Sequence, residues 1–442
     1  MANFAKSHVP QFSMDVYQNE YLPEGGREVN AIVTVTATGG GTVTPVHSAG
    51  RGPSAAVAIM VDCSGSMDYP PTKMRGARDA TAAAIDSLRD GTHFAVIGGT
   101  HVAKEVYPGG GALATADATT REQAKQALRR LSAGGGTAIG TWLRLADRLL
   151  NSDDVTIRHG ILLTDGRNEH ESPEDLRATL DACAGRFTCD ARGVGTDWEV
   201  KEVTGIASAL LGTADIVADP AGLAADFTRM METAMGKEVA DVALRVWTPV
   251  GTAIRFVKQV APTVEDLTDR RTESGPRAGD YPTGSWGDES RDYHLCVEVP
   301  AAGLGQEMLA ARVSLVVPQP DGSVQNLGAQ GLVRAVWTDD MTASTSINPQ
   351  VAHYTGQAEL AQAIQQGLDL RKAGDFDGAT AKLGRAVQLA SASGNADTAK
   401  LLAKVVDVVD AATGTVRLKT RVAEADEMTL ETRSTKTVRV KK

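Results

Sequence analysis

Apolar and polar residues follow two different periods along this chain, and the change between them divides it into regions. Between residues 54 and 236, short apolar runs such as 55–61 alternate with amphipathic stretches such as the Ala-rich segment 74–88. Strands that alternate with helices in this way are typical of a doubly wound α/β sheet. We therefore predict an α/β domain over residues 54–236.

Between residues 239 and 340 the period becomes two. Val242, Leu244 and Val246 alternate with polar or small residues, and similar alternations recur between turns rich in Pro and Gly. This pattern predicts an antiparallel β-sandwich. Strands are also predicted within residues 10–50, but two short strands cannot bury a core alone. We expect them to join the later sheet, so that the α/β domain is inserted in the sandwich.

The segment 270–291 is rich in Gly, Asp and Arg, and its composition favours a long loop. Long loops in compact domains are usually either functional or anchored. Tyr281 and Trp286 lie within the segment, and we expect them to anchor it rather than to contact a partner.

A helical period returns over residues 354–416. Leu360, Ile364 and Leu368 line one face, a Gly-Asp-Phe turn leads to a second helix, and a third is predicted at 398–409. The first two helices resemble one tetratricopeptide-like repeat without its early Trp. Because fewer than three such repeats are rarely stable alone, we favour a three-helix packing element over a peptide-binding groove.

Residues 417–442 form a basic, Thr-rich tail with eight Lys or Arg residues against four acidic ones. A frayed terminus is the simpler interpretation. An alternative hypothesis is that phosphorylated residues of this tail bind a phosphothreonine-reading domain of a partner. The candidate hydroxyls are those of Thr429, Thr432, Ser434, Thr435 and Thr437.

Composition and charge narrow the classes of function. The length of 442 residues favours two or three domains, and 42% hydrophobic with 23% charged residues is typical of soluble globular proteins. A net charge of −10 argues against nucleic acid as the main partner. No apolar run is long enough to cross a bilayer, and the first residues lack a signal-peptide core. We therefore expect a cytoplasmic protein with no membrane partner, and the abundance of Ala, Gly and Arg suggests a bacterial source.

The cysteines are too scattered for a zinc centre or a redox pair. Cys63, Cys183, Cys189 and Cys296 include no Cys-x-x-Cys pair, and no His stands at zinc-ligand spacing from them. We expect buried thiols in a reducing compartment.

Three oxygen-bearing side chains follow the apolar run 55–61. Asp62, Ser64 and Ser66 occupy alternate positions, and the carboxyl end of a buried strand would place them at one edge of a parallel sheet. A carboxylate and two hydroxyls are hard oxygen donors of the kind that Mg²⁺ accepts. An ordinary Asx or Ser turn would use the same residues, so this motif alone leaves both interpretations open.

Two later motifs favour the metal site. One is the Gly-Gly-Gly-Thr-Ala-Ile-Gly stretch at 134–140, before a predicted helix, and the other is an apolar strand closed by Asp-Gly within 160–166. With the Asp-x-Ser-x-Ser motif at 62–66, they resemble the von Willebrand factor A (VWA) domain, which has a doubly wound, Rossmann-like fold. In that family these pieces form the metal-ion-dependent adhesion site (MIDAS).

The resemblance implies a role for each residue at this predicted site. Ser64, Ser66 and Thr137 correspond to direct hydroxyl ligands of the metal. Asp62 and Asp165 correspond to carboxylates that bind mostly through water or hold the hydroxyls. The expected cation is Mg²⁺, with Mn²⁺ and Ca²⁺ as alternatives.

The chemistry of this ligand set favours binding over catalysis. Two carboxylates roughly balance a divalent cation, and neutral hydroxyls leave it electrophilic, so an open position should attract an acidic side chain from outside. We therefore expect a non-enzymatic interaction protein whose metal binds an Asp or Glu of a protein partner. A neighbouring copy of the chain could also supply that carboxylate.

Other functions stay open as alternatives. A scaffold in which the metal only stabilises the fold is one, and a metal-assisted hydrolase with His170 as a poor candidate base is another. The glycines at 134–140 lack the Lys of a P-loop, and Ser64 and Ser66 do not lie in Gly-x-Ser-x-Gly.

Several other residues of this domain could be taken for functional ones, but we expect simpler structural roles for them. We interpret His170 as a solvated loop residue and Asp197 as a helix N-cap on the same rim. Met230, Met231 and Met235 are expected to fill the core.

Overall fold

The structure is a computed structural model that describes residues 10–39, 54–151, 155–319 and 321–440. These residues divide into two compact units: an α/β unit (54–240 and 284–287) and a second unit made of the rest. The part of the predicted N-terminal strand region at 40–50 lies outside the described residues, as does the N-terminal stretch 1–9.

The described chain begins with strands of the second unit: β1 (Gln11–Gln18), β2 (Tyr21–Leu22) and β3 (Glu28–Thr38). The α/β unit follows. Its strands are β4 (Ala55–Asp62), β5 (His93–Gly99), β6 (Ala103–Tyr107), β7 (Ala114–Thr115), β8 (Ile157–Thr164), β9 (Thr188–Val194) and β10 (Ala214–Val217). Its helices are α1 (Thr72–Asp86), α2 (Ala118–Leu128), α3 (Ile139–Leu150), α4 (Pro173–Cys183), α5 (Val200–Ala209) and α6 (Leu223–Met235).

The sheet of the α/β unit has the order β10-β9-β8-β4-β5-β6, and β7 also pairs with β5. The strands from β10 to β5 are parallel, whereas β6 and β7 run antiparallel to β5. Because β4 lies between β5 and β8 and is fully buried over Ala56–Val61, it needs the continuous apolar run that the sequence contains. The predicted doubly wound fold is confirmed, and it brings the carboxyl ends of β4 and β8 to one edge.

Two mainly antiparallel sheets make up the core of the second unit, with β2 pairing in parallel at one edge. After the α/β unit come β11 (Val239–Trp247), β12 (Ala253–Ala261), β13 (Glu265–Asp266), β14 (Thr272–Gly275), β15 (Ala278–Trp286), β16 (Glu289–Glu298), β17 (Glu307–Pro318) and β18 (Val324–Trp337). One sheet has the order β1-β3-β16-β12-β13, and the other β14-β15-β11-β17-β18-β2. Strand β3 precedes the α/β unit in the sequence and β16 follows it, yet the two strands pair in one sheet. The predicted insertion of the α/β domain is therefore confirmed.

The prediction of a long loop over 270–291 is wrong. This segment contains β14, β15 and the start of β16. Polar residues are tolerated here because they are paired: Arg245 on β11 donates hydrogen bonds of 2.7 and 2.8 Å to Asp280 on β15. Tyr281 and Trp286 are buried, as expected of anchors, but they belong to a strand.

Helices return after the sandwich. They are α7 (Met341–Thr345), α8 (Pro349–Lys372), α9 (Phe376–Ala392), α10 (Ala396–Val405) and α11 (Glu424–Arg433), with a hairpin of β19 (Val406–Asp410) and β20 (Thr415–Leu418) between the last two. The predicted third helix therefore ends at Val405 rather than at 409. The residues that follow Val405 include three valines, and β-branched side chains favour a strand. Helices α8 to α11 pack around one buried cluster that includes Ile364, Leu383, Leu402 and Leu430.

The interpretation of the tail as frayed is also wrong. Thr432 and Ser434 are buried, and the hydroxyl of Thr432 donates to the Met428 carbonyl within α11. Beyond the helix, the Thr437 amide donates to the carbonyl of Pro262 at 3.0 Å. Phosphorylation of Thr432 would require this turn of α11 to open, so the structure weighs against the phosphothreonine hypothesis at that position.

Within the ranges given above, no helix combines the length and the apolar character needed to cross a membrane.

Candidate metal-binding site

Asp62, the last residue of β4, is held rigidly at the sheet edge. Its side chain is fully buried, and its Oδ1 accepts the Ser64 amide at 2.7 Å. Its Oδ2 accepts the Thr164 hydroxyl at 2.7 Å from the end of β8. Burial is the main reason that the pKa of Asp62 is raised to about 6; hydrogen bonds from Ser64 and Thr164 oppose this, and Asp165 adds to it. A cation beside this carboxyl would favour its charged form.

The two serine hydroxyls lie side by side. Ser64 Oγ and Ser66 Oγ are 2.9 Å apart, and a short 3-10 turn (Gly65–Asp68) begins between them. Ser66 Oγ donates to Asp165 Oδ1 at 2.7 Å, and the Asp165 side chain is fully buried. Because the Ser66 hydrogen is directed at Asp165, the Ser64 hydroxyl donates to Ser66 Oγ, and both oxygens keep lone pairs for a cation.

A glycine loop brings Thr137 to the same place. The Gly134 amide donates to the Cys63 carbonyl at 2.8 Å, and the Gly65 amide donates to the Gly135 carbonyl at 2.9 Å. Gly135 has a φ of +84°, a conformation that residues with a side chain rarely adopt. These contacts fix the loop against the serine motif just before α3, and Thr137 is almost completely buried.

Gly166 marks the centre of the hydroxyl cluster. A Cβ atom at this position would lie 3.1 Å from Ser66 Oγ, 3.6 Å from Thr137 Oγ1 and 3.9 Å from Ser64 Oγ. Three hydroxyl oxygens therefore surround one point that glycine leaves free of side chain. The structure thus brings all five predicted residues, Asp62, Ser64, Ser66, Thr137 and Asp165, to one edge of the sheet.

This donor set fits a hard divalent cation. The hydroxyl oxygens of Ser64, Ser66 and Thr137 lie around Gly166, while Asp165 accepts the Ser66 hydroxyl and Asp62 accepts the Ser64 amide. Among the residues that the structure describes, no group of three or more His, Cys, Asp or Glu side chains is placed to hold a metal ion. Because Mg²⁺ binds few protein oxygens and keeps several waters, Ser64, Ser66 and Thr137 are the residues that would hold it. A bound cation would supply an electrophilic position for an anionic oxygen.

Lys73 was not singled out from the sequence, yet it contacts the site directly. Its Nζ lies 2.8 Å from Asp165 Oδ2 and 3.0 Å from Asp197 Oδ2, and its side chain is 8% exposed. Burial lowers the pKa of Lys73, but the hydrogen bonds to Asp165 and Asp197 raise it by more. A lysine in the first turn of a helix, two residues after Pro71, is the signal that could have revealed it, because a cation there opposes the helix dipole.

The predicted role of Asp197 as an N-cap is wrong. The helix that follows, α5, begins at Val200, its N-cap is Glu199, and no side chain caps it. Asp197 instead pairs with Lys73, because the end of β9 places its carboxylate on the rim where the ammonium lies.

His170 is exposed, as expected, but it is not an isolated loop residue. Its Nδ1 accepts the Thr137 amide at 3.3 Å, and its own amide donates to the Thr137 carbonyl at 3.0 Å. It therefore helps to position the Thr137 loop. The interpretation of Met230, Met231 and Met235 as core residues is confirmed, and Cys63 also lies in that core, facing away from the hydroxyls.

Comparisons with known proteins agree with this fold. The family model of the von Willebrand factor type A domain matches residues 55–216, and that of the von Willebrand factor type A C-terminal domain matches residues 388–434. A solved structure of a von Willebrand factor type A protein from Catenulispora acidiphila is 52% identical, with 99% of each chain covered and a TM-score of 0.92. No curated protein that was compared matches this chain.

A more distant likeness shows the fold alone. The ArnB paralog VWA2 from Sulfolobus acidocaldarius is 12% identical, with 96% of this chain and 98% of that chain covered and a TM-score of 0.60.

An α/β unit with a cluster of hydroxyls at its sheet edge, inserted in a β-sandwich, defines the class of this protein. The chain belongs to the von Willebrand factor type A family. Domains of this family mediate protein interactions, and they often bind a divalent metal at a MIDAS.

Proposed function

We propose that this protein is a metal-dependent interaction module, which binds an acidic side chain of a protein partner through Mg²⁺ at a MIDAS. One observation carries the proposal: the hydroxyls of Ser64, Ser66 and Thr137 surround the point that a side chain at Gly166 would fill. Asp62 and Asp165 lie behind them with no exposed surface.

The arrangement of charge favours a carboxylate as the external ligand. The oxygens of Asp165 are engaged by Ser66 and Lys73, and those of Asp62 by Ser64 and Thr164. With these contacts kept, the cation would be held by neutral hydroxyls and would keep much of its charge. An Asp or Glu of a partner would neutralise that charge at the open position.

The same contacts favour binding over catalysis. A hydrolase would need a general base within hydrogen-bond reach of a metal-bound water. His170 is the imidazole next to Thr137, but its Nδ1 accepts a backbone amide in the described conformation. We therefore propose a non-enzymatic role.

A capture experiment tests this function. The full chain, as wild type and as Asp62→Ala/Ser64→Ala, is immobilised and exposed to native lysate in Mg²⁺ or in EDTA, and bound proteins are identified by mass spectrometry. We expect a partner that is retained only by the wild type with Mg²⁺. Its acidic residues are then replaced one by one, and one Asp or Glu should abolish retention.

The alternative functions predict other outcomes. If the metal only stabilises the fold, EDTA will lower the melting temperature while capture by the wild type continues. Identical capture in all four conditions would contradict the proposal and would direct attention to the sandwich and the helices.

A further inference from the structure

A buried ion pair between Lys73 and Asp165 lies beside the hydroxyls. Lys73 Nζ is 2.8 Å from Asp165 Oδ2, while Asp165 Oδ1 accepts the Ser66 hydroxyl at 2.7 Å. Both oxygens of this carboxylate are therefore engaged on the protein side. Asp165 cannot turn towards the centre of the site without breaking one of these contacts.

The position of Lys73 is unfavourable for the helix to which it belongs. It is the second residue of α1, where the helix dipole disfavours a positive charge. Its stem also passes close to the end of β9, since a Cβ on Gly195 would lie 3.8 Å from Lys73 Cε. Local conflicts of this kind are expected at functional positions, and here the carboxylates of Asp165 and Asp197 offset the cost.

We propose that Lys73 is a positioning residue, which holds Asp165 out of direct contact with the cation and so makes the site prefer Mg²⁺ or Mn²⁺ to Ca²⁺. This inference rests on the proposed metal-binding function. Ca²⁺ takes six to eight oxygens, with carboxylates as frequent ligands, whereas Mg²⁺ keeps several waters. A site whose second carboxylate is restrained can satisfy Mg²⁺ more readily than Ca²⁺.

The charge of Lys73 acts in the same direction. It cancels one of the negative charges around the site, so the cation remains electrophilic until an external carboxylate binds. Without Lys73, Asp165 would be free to supply an oxygen of its own, and the need for an external ligand would fall.

The test is calorimetric titration of the full chain with Ca²⁺ and with Mg²⁺, for wild type, Lys73→Met, Lys73→Arg and Asp197→Asn. Lys125→Met is the matched control, because Lys125 forms an ion pair with the exposed Asp86, away from the site. Circular dichroism checks that each variant is folded. Residues behind metal ligands change affinity by about 10- to 100-fold, and we expect Lys73→Met to tighten Ca²⁺ binding by about tenfold or more and Mg²⁺ binding by less.

The other two variants test whether Lys73 changes the Ca²⁺ affinity in the predicted direction. Lys73→Arg keeps the charge and should leave the ratio of the two dissociation constants within about twofold of wild type. In Asp197→Asn, Lys73 keeps Asp165 as its only charged partner. This variant should therefore weaken Ca²⁺ binding, whereas Lys73→Met should tighten it. This arm also tests the inference if Lys73→Met does not fold.

The outcomes separate this inference from the proposed function. If neither the wild type nor any Lys73 variant binds a cation, both are overturned. If the wild type binds Mg²⁺ but Lys73→Met leaves the Ca²⁺ constant unchanged or weaker, Lys73 is only structural. Tighter Ca²⁺ binding by Asp197→Asn would also overturn the role of Lys73.

Discussion

Ser66 Oγ donates a hydrogen bond of 2.7 Å to Asp165 Oδ1, across 99 residues of sequence. This contact joins the loop after β4 to the loop after β8, and it orients the serine so that its oxygen lone pairs face the other hydroxyls. The site is thus preorganised by hydrogen bonds that exist within the protein itself.

Replacing Gly166 by Ala should abolish metal binding without unfolding the protein. The new methyl group would lie 3.1 Å from Ser66 Oγ and would fill the space between the hydroxyls. The φ of Gly166 is not positive, so alanine adds no backbone strain there. Calorimetry with Mg²⁺ should show at least a tenfold loss of affinity.

Gly205→Ala is the matched control for that variant. No atom lies within 4 Å of the Cβ that it would add in α5, and alanine favours helix. Mg²⁺ affinity should stay at the wild-type level. If Gly166→Ala retained this affinity as well, the cation would have to bind elsewhere.

Replacing Tyr354 by Phe should destabilise the second unit. The Tyr354 hydroxyl, which is buried, donates to Asp292 Oδ2, and Thr34 and Arg439 donate to the same buried carboxylate. A hydrogen bond to a charged group contributes about 1.5–3 kcal/mol, and we expect the free energy of unfolding to fall by that amount.

Urea unfolding measures this loss, with Tyr69→Phe as the control because Tyr69 is 84% exposed. The control should stay within about 0.5 kcal/mol of wild type. Equal stabilities of the two variants would mean that the network around Asp292 does not hold the helices and the tail on the sandwich.

The stability of the second unit should depend on pH through His294. Burial and then Lys258 lower its pKa to about 4 from 6.5, while Glu28 opposes the shift. The folded state therefore binds the proton more weakly than the unfolded chain does. The stability that depends on a neutral His294 is fully present above pH 6.5. It is lost as the pH falls from 6.5 towards 4, and the free energy of unfolding then decreases by about 3 kcal/mol in total.

Urea unfolding of wild type and His294→Gln at pH 7.5 and 4.5 isolates this effect. Glutamine keeps a donor for Asn30 Oδ1, which lies 2.9 Å from His294 Nε2, but it does not titrate. The variant should lose less stability than wild type at pH 4.5. The comparison with the variant is needed because Asp62 also changes the stability between these pH values. Its pKa is raised to about 6, so its effect on the free energy of unfolding has the opposite sign to that of His294. Parallel losses in both proteins would contradict the prediction.

The parts of the fold that depend on local patterns could be predicted from the sequence. The run 55–61 is apolar at every position because β4 is buried on both faces, and Asp62, Ser64 and Ser66 follow at once. The segment 270–291 could not be predicted in this way. Its strands depend on pairing such as that of Arg245 with Asp280, and no local pattern specifies a contact across 35 residues.

The same distinction applies within the site. The hydroxyls of Ser64, Ser66 and Thr137 could be predicted because they lie in short motifs with fixed spacing. The ion pair of Lys73 with Asp197 could not, because it joins residues 124 positions apart. Helix capping is a local explanation for Asp197, and the tertiary pairing overrides it.

The most direct test of the central claim is a crystal structure of the full chain grown with Mn²⁺, with an anomalous difference map to locate the ion. We expect a peak about 2.1 Å from the hydroxyl oxygens of Ser64, Ser66 and Thr137, near Gly166, with the contact between Lys73 and Asp165 retained. A map without a peak at this edge, or with the ion bound elsewhere, would contradict the account.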